Sequence, residues 1–251
     1  MLLWAALRKE MLEQWRSYRA LVVAAVLLGF GLISPLTAKF TPELLRLLPQ
    51  GDQIAALIPP PTLLDAVGQY LKNMNQFTVI LALLLTMGAV SQEKERGTAA
   101  MMLSKPLPRW LFLAAKFAAL GLTFAASLAL AGAGAYYYTG LLFGPLDLAA
   151  WAGVNALLLV YALVYVAVTL LCSVLARSQA AAGGLAFGLL ILLTLLGALP
   201  QIGQYFPGEL VVWAGHLIAG GPAAWPALIV SVALIGAALA AAAWRFGRQE
   251  L

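Results

Sequence analysis

The densest group of chemically capable side chains lies between two apolar stretches. There the chain reads Ser91-Gln92-Glu93-Lys94-Glu95-Arg96-Gly97-Thr98-Ala99-Ala100-Met101-Met102-Leu103-Ser104-Lys105-Pro106-Leu107-Pro108-Arg109. Interleaved acids and bases of this kind do no covalent chemistry; they pair, and they fix register against a partner of complementary charge. The local signals are those of a helix, a stop, a short helix and a second stop. Gly97 suits the left-handed residue after a helix end, Thr98 is a good N-cap, and Pro106 cannot continue a helix beyond Lys105. The spacing predicts a short helix over residues 99–104, about 9 Å long, that offers Met101, Met102 and Leu103 as an apolar tip. Methionine suits a surface that stays packed while its neighbour moves, so the chemistry on offer is docking. The alternative is a solvated charged loop whose methionines dip into lipid.

Catalytic readings find few residues to work with. Cys172 is the single cysteine and sits inside an apolar run; it supports neither an intrachain disulfide nor a cysteine metal site, and reads as a small core residue. His216 is the single histidine, which excludes a two-histidine zinc helix within the chain; following Trp213, it reads as an interfacial residue. No Gly-x-Ser-x-Gly nucleophile turn occurs. The six lysines follow Arg8, Ala38, Leu71, Glu93, Ser104 and Ala115, so the chain has no Gly-Lys pair and no phosphate-binding P-loop.

The elements that must carry these residues are membrane spans. Of 251 residues, 63% are hydrophobic and 10% charged, against about 25% charged in an ordinary soluble domain. Apolar runs cover residues 21–38, 77–90, 110–138, 148–175, 178–199 and 223–243. They predict an all-α integral membrane protein with six crossings in one transmembrane domain spanning residues 1–251. The second run is short for a span and needs Asn75, Gln76, Ser91 and Gln92 to reach across. Lys116, inside the third, lies within two turns of its end and is expected to snorkel to the headgroups. The net charge of +5 is small and its cations sit in clusters beside apolar runs, so nucleic acid is not an expected partner. No signal peptide is expected, because Arg8, Lys9, Glu10 and Glu13 interrupt the first stretch.

Loop charge sets the expected orientation. Arg8, Lys9, Arg16, Arg19, Lys94, Arg96, Lys105, Arg109, Lys116, Arg177, Arg245 and Arg248 fall on one side, and only Lys39, Arg46 and Lys72 on the other. The excess marks the cytoplasm, so both termini are expected there. Before the first crossing, Trp4, Leu7, Met11, Trp15 and Tyr18 recur at three- and four-residue steps, which predicts an interfacial amphipathic helix over residues 1–19 against membrane lipid. A long outer loop over 39–76 carries helix-start signals at Thr41-Pro42-Glu43, at Asp52, and at Thr62 with Asp65. Short helices are expected there, as a lid, a docking surface for an outer-side partner, or simple packing against the membrane.

The segment over residues 91–109, its position and the topology together resemble the permease subunits of the ABC-2 type family of ATP-binding cassette transporters. The matching positions are Glu93, Glu95, Arg96, Gly97, Thr98, Leu103, Ser104, Pro106 and Arg109. The resemblance implies a coupling helix over 98–106, within a cytoplasmic loop over 92–109, seated on a separate ATPase. It also implies two ATPase copies, a second permease copy or a sister permease, and an exporter in the cytoplasmic (inner) membrane of a bacterium or archaeon. No cofactor is expected in this chain, because ATP and Mg belong to the partner ATPase. Some family members carry a fused ATPase domain; the missing Gly-Lys pair departs from that arrangement.

A secondary transporter or channel without an ATPase is the alternative, but such pumps usually place an ionisable residue in mid-membrane, where this chain offers only Lys116. Gly184 and Gly188, with Gly183 beside them, allow close helix approach and read first as packing; the family resemblance, in which the fifth and first crossings often meet across a dimer, implies a candidate dimer contact there. Asn155, Tyr161 and Tyr165 are candidates for a substrate route, and Tyr136 to Tyr138 read as an aromatic belt.

Overall fold

A computed structural model describes residues 2–47, 49, 52–53, 59–97 and 108–249. Every regular element among them is a helix: α1 (Leu2–Arg16), α2 (Arg19–Arg46), α3 (Leu63–Thr86), α4 (Ser91–Glu95), α5 (Arg109–Phe143), α6 (Leu148–Leu175), α7 (Gln179–Gly197), α8 (Gly208–Ala219) and α9 (Trp225–Gly247), with a 3₁₀ turn at Gly203–Tyr205. Six spans are long and apolar enough to cross: α2, Leu63–Glu95, α5, α6, α7 and α9. At 35 residues, α5 is about 52 Å long, well past a hydrocarbon core of about 30 Å.

The second crossing gains its length at its start. Thr62 and Asp65 form a full capping box, the Thr62 amide donating to Asp65 Oδ2 at 2.7 Å and the Asp65 amide to Thr62 Oγ1 at 3.4 Å. That box starts α3 at Leu63, so residues 63–76, expected in the outer loop, belong to the crossing helix. Thr41 behaves otherwise. Its hydroxyl turns back on the Thr37 carbonyl at 2.5 Å instead of capping a new helix, and α2 runs through Pro35 and Pro42 to Arg46. Hydroxyls bonded to the preceding turn let a membrane helix carry proline. The separate short helices expected over 39–46 and 63–76 are therefore the ends of two long ones. Asp52 is helical, and residues 54–58 lie outside the described residues.

The bundle is built around α6, which packs against α3, α5, α7, α8 and α9. Its main apolar core joins Tyr70, Met74, Phe124, Leu128, Val154 and Leu158. A second, smaller core lies at the basic end, where Phe112, Leu113, Val90, Leu170, Val174 and Phe246 pack, the Phe112 and Phe246 rings stacked at 5.7 Å. This second core is the floor on which the charged residues between the second and third crossings stand.

Candidate functional site: a charged junction at the basic end

Four breaks in the helices meet at this end: α1 to α2, α3 to α4, the start of α5, and α6 to α7. The second crossing breaks at residues 87–90, where one hydroxyl from α6 holds it. Ser173 Oγ accepts from the amides of Val90 and Ser91, each at 3.0 Å, and donates to the Met87 carbonyl at 2.8 Å. Backbone groups released by a break inside a membrane protein need such partners. The short α4 then ends at Glu95, and Gly97, two residues on, has a φ of 69°, the left-handed conformation expected of it. The coupling positions Thr98, Met101, Met102, Leu103, Ser104 and Pro106 lie outside the described residues.

Lys116 departs from its expected course. It does not snorkel outward: only 4% of its side chain is exposed. Its ammonium lies 2.9 Å from Glu10 Oε2 and 2.7 Å from Glu93 Oε1, with the Phe112 ring centroid at 4.8 Å. A buried ammonium is tolerated where carboxylates pair with it and satisfy its donors, and here two do. Lys9 brackets the cluster from outside, 2.9 Å from Glu10, 3.1 Å from Glu13 and 3.9 Å from Glu93.

Burial pulls the Lys9 ammonium down, but hydrogen bonding and charge attraction from Glu10, with Glu13 and Glu93, outweigh it and raise its pKa above the ordinary lysine value. Burial likewise pushes the Glu13 carboxyl up, while Lys9, then Lys116 and Arg19, bring it below the ordinary value. Both groups are thus held charged. The Glu13 contribution is present above its unfolded pKa and lost as pH falls through the lowered folded one. The Lys9 contribution is present below its unfolded pKa and lost as pH rises through the raised one. The pairing is intact across the neutral range.

Helix α1 reaches this cluster with the polarity of its faces reversed relative to a soluble surface helix. Glu10 and Gln14 are buried against the bundle, and Gln14 Oε1 accepts from the Thr123 hydroxyl at 2.6 Å. Trp4, Trp15 and Tyr18 are each about two-thirds exposed and face away from protein, as a lipid-contacting stripe must; Leu7 and Met11 are half-buried. The aromatic periodicity found the face turned away from the bundle, where a lipid-contacting stripe was expected. The protein face, one turn of acid and amide, carried no periodic signal beyond the spacing of Glu10 and Gln14.

The other charges flanking residues 98–107 also point inward. Arg109 Nη1 donates to the carbonyls of Phe246, Gly247 and Gln249 at 2.9, 3.1 and 2.7 Å, capping the C-terminus of α9. Lys94 donates to the Val174 carbonyl, as does Gln249 Nε2 at 3.0 Å. Glu95 accepts from the Gln179 amide at 3.3 Å, at the start of α7. Of the described candidates, Arg96 and Gly97 alone are exposed without such a bond. Glu93, Lys94 and Arg109, expected around the docking tip, therefore anchor both ends of the segment to the bundle. The reason is physical: a charge partly withdrawn from water costs less when it closes on a neighbour than when it is left unpaired.

Asn155, Tyr161 and Tyr165 lie between α6 and α3. Asn155 Oδ1 accepts from the Tyr70 hydroxyl at 2.6 Å, Tyr161 donates to Asn75, and the Tyr161 and Tyr165 rings are 4.7 Å apart. They fasten two crossings together. Gly184 and Gly188 lie on the open face of α7, with nothing within 4 Å of where a Cβ would be. Beside that face runs an apolar groove of about 390 Å³ between α3 and α7, lined by Ile80, Leu83, Leu84, Phe187 and Ile191. It shares Leu84 with a second hollow toward Arg19 and Gln179.

Known proteins agree with this architecture. A transmembrane protein of Bacillus subtilis (strain 168), YxlG, described as uncharacterized, is 28% identical over a 258-residue alignment covering 98% of this chain and 97% of its own. The model of the ABC-2 family transporter proteins matches residues 4–206, which takes in Glu10, Glu93, Arg109 and Lys116 of the junction and five of the six crossings, and the chain belongs to that family as a multi-pass membrane protein.

Proposed function

We propose that this chain is the permease subunit of an exporter whose ATP is hydrolysed, with Mg, by a separate cytoplasmic ATPase, and that residues 98–106 transmit the force. Family membership carries the coarse reading of an ABC-2 membrane subunit. The finer one rests on a single observation. The described residues on either side of 98–107 are anchored to the bundle, Glu93 with Glu95 before it and Arg109 after it. A loop tied so closely at both ends transmits displacement instead of absorbing it. The basic end is the cytoplasmic end in this reading, by the excess of Lys and Arg.

Two ATPases then serve two permease copies, either identical or sisters. Support for their meeting place comes from α7, whose face at Gly184 and Gly188 is open, and from α2, where Leu21, Val22 and Ile33 are about half exposed. The cargo is neutral or amphipathic in this reading, because no charge lines the groove between α3 and α7.

Purification in mild detergent, with a crosslinker, is expected to bring an ATPase down with the chain. Met102→Glu with Leu103→Glu is expected to leave membrane insertion intact and to cut ATPase stimulation at least about tenfold, since charge replaces apolar contact at the docking tip. Unchanged stimulation in the double variant removes the coupling role of 98–106, and recovery of the chain without any ATPase favours a channel or secondary transporter.

A further inference from the structure

We propose that Lys116 is a positioning residue that ties the N-terminal helix α1 to the segment entering the coupling loop, so that α1, α4 and α5 move as one body when the loop is displaced. The proposal deepens the permease reading and rests on it.

The geometry is that of a junction. One buried ammonium is shared by two carboxylates from distant parts of the chain, Glu10 on α1 and Glu93 on α4, at 2.9 and 2.7 Å. Glu93 lies on α4, which ends at Glu95, two residues before Gly97. Displacing the coupling segment therefore pulls on α4 as a whole, which Glu95 and Lys94 tie to the α6–α7 corner and Glu93 ties, through Lys116, to Glu10 on α1.

The way α1 is held supports the same conclusion. A passive anchor needs only an apolar face in lipid, and Trp4, Trp15 and Tyr18 provide one. Such an anchor has no need to bury acids. Yet α1 buries Glu10 and Gln14 against α5, where Gln14 accepts from Thr123 at 2.6 Å. Its hold on the bundle is polar and directional, and loss of Lys116 would leave the more exposed Lys9 between Glu10 and Glu93, at 2.9 and 3.9 Å. A part-exposed cation offsets less of their repulsion than the buried one, and α1 would loosen from α4.

The test uses the assembled complex in lipid, with spin labels at the exposed positions Leu12 and Arg96. Lys116→Gln is expected to broaden the distance distribution between the labels and to lower kcat for ATP hydrolysis about tenfold with KM for ATP unchanged. Lys116→Arg is expected to restore a narrow distribution and most of the rate, because it restores the charge. Glu10→Gln, which leaves Lys116 paired with Glu93 and perturbs folding less, is expected to shift both readouts in the same direction. An undisturbed distance distribution in Lys116→Gln overturns the proposal, and so does a broadened one with kcat intact. Absence of any co-purifying ATPase sinks the permease reading and the relay together, whereas an intact complex indifferent to Lys116→Gln sinks the relay alone.

Discussion

The fourth and fifth crossings, α6 and α7, both lack Asp, Glu, Lys and Arg, yet in their most apolar stretches 78% of α6 is buried and only 17% of α7. Apolar character does not separate them, because lipid tails are as apolar as leucine and give no drive for one greasy helix to leave them for another. Polar handles and close packing do. Along α6, the Trp151 indole donates to the Gly132 carbonyl at 2.9 Å, Asn155 meets Tyr70, Tyr161 meets Asn75, and Ser173 holds the break in the second crossing. On α7 the Thr194 hydroxyl merely folds back on Leu190, and contact with the bundle is a narrow stripe of Ala182, Ala186 and Leu190. One helix is fastened to its neighbours; the other presents a free side.

The sharpest way to break this contrast is to spoil the fit around Asn155. A Cβ at Gly132 would lie 2.5 Å from Asn155 Oδ1, and Asn155 has little room to yield, being bonded to both Tyr70 and the Trp151 carbonyl. Gly132→Val is expected to cost toward the upper end of about 1–3 kcal/mol, read as a drop of roughly 5–10 °C in the thermal unfolding midpoint in detergent. Ser173→Ala removes the acceptor for two amides with almost no change of shape. Its expected cost is about 1–2 kcal/mol, limited because groups released within a membrane find other partners. A neutral Ser173→Ala would mean that packing alone holds α6, and the polar half of the explanation would go.

Much of this organisation was legible in the sequence, and the misses share a cause. The six crossings follow from apolar length, the outward stripe of α1 from its aromatic period, a helix start from Thr62 and Asp65, although of a crossing and not of a short surface helix, and the left-handed residue from Gly97. Each is a local signal. The fate of Lys116 was not local: snorkelling and pairing are both open to a lysine two turns from a helix end, and the choice depends on Glu10, 106 positions away. The same holds for Arg109, whose acceptors lie on α9, and for Ser173, whose partners lie 82 and 83 positions back. Nor did the sequence tell α6 from α7, since a hydroxyl or amide in an apolar run reads alike whether it meets a partner or its own helix.

The free side of α7 supplies the smallest expected effect on the single chain and the strictest test of the contrast. Phe187 is 60% exposed on that face. Phe187→Ala is therefore expected to move the stability of the isolated chain by no more than about 0.5 kcal/mol, although the same change at a buried aromatic costs about 3–5 kcal/mol. A midpoint lowered as far as that of Gly132→Val would make α7 part of the core after all. If α7 instead meets a second permease, a cysteine in place of Gly188 is expected to crosslink between chains in membranes, and Phe187→Ala to weaken that product. Purely intramolecular crosslinks would leave α7 facing lipid, with the burial contrast intact and the dimer contact at Gly184 and Gly188 lost.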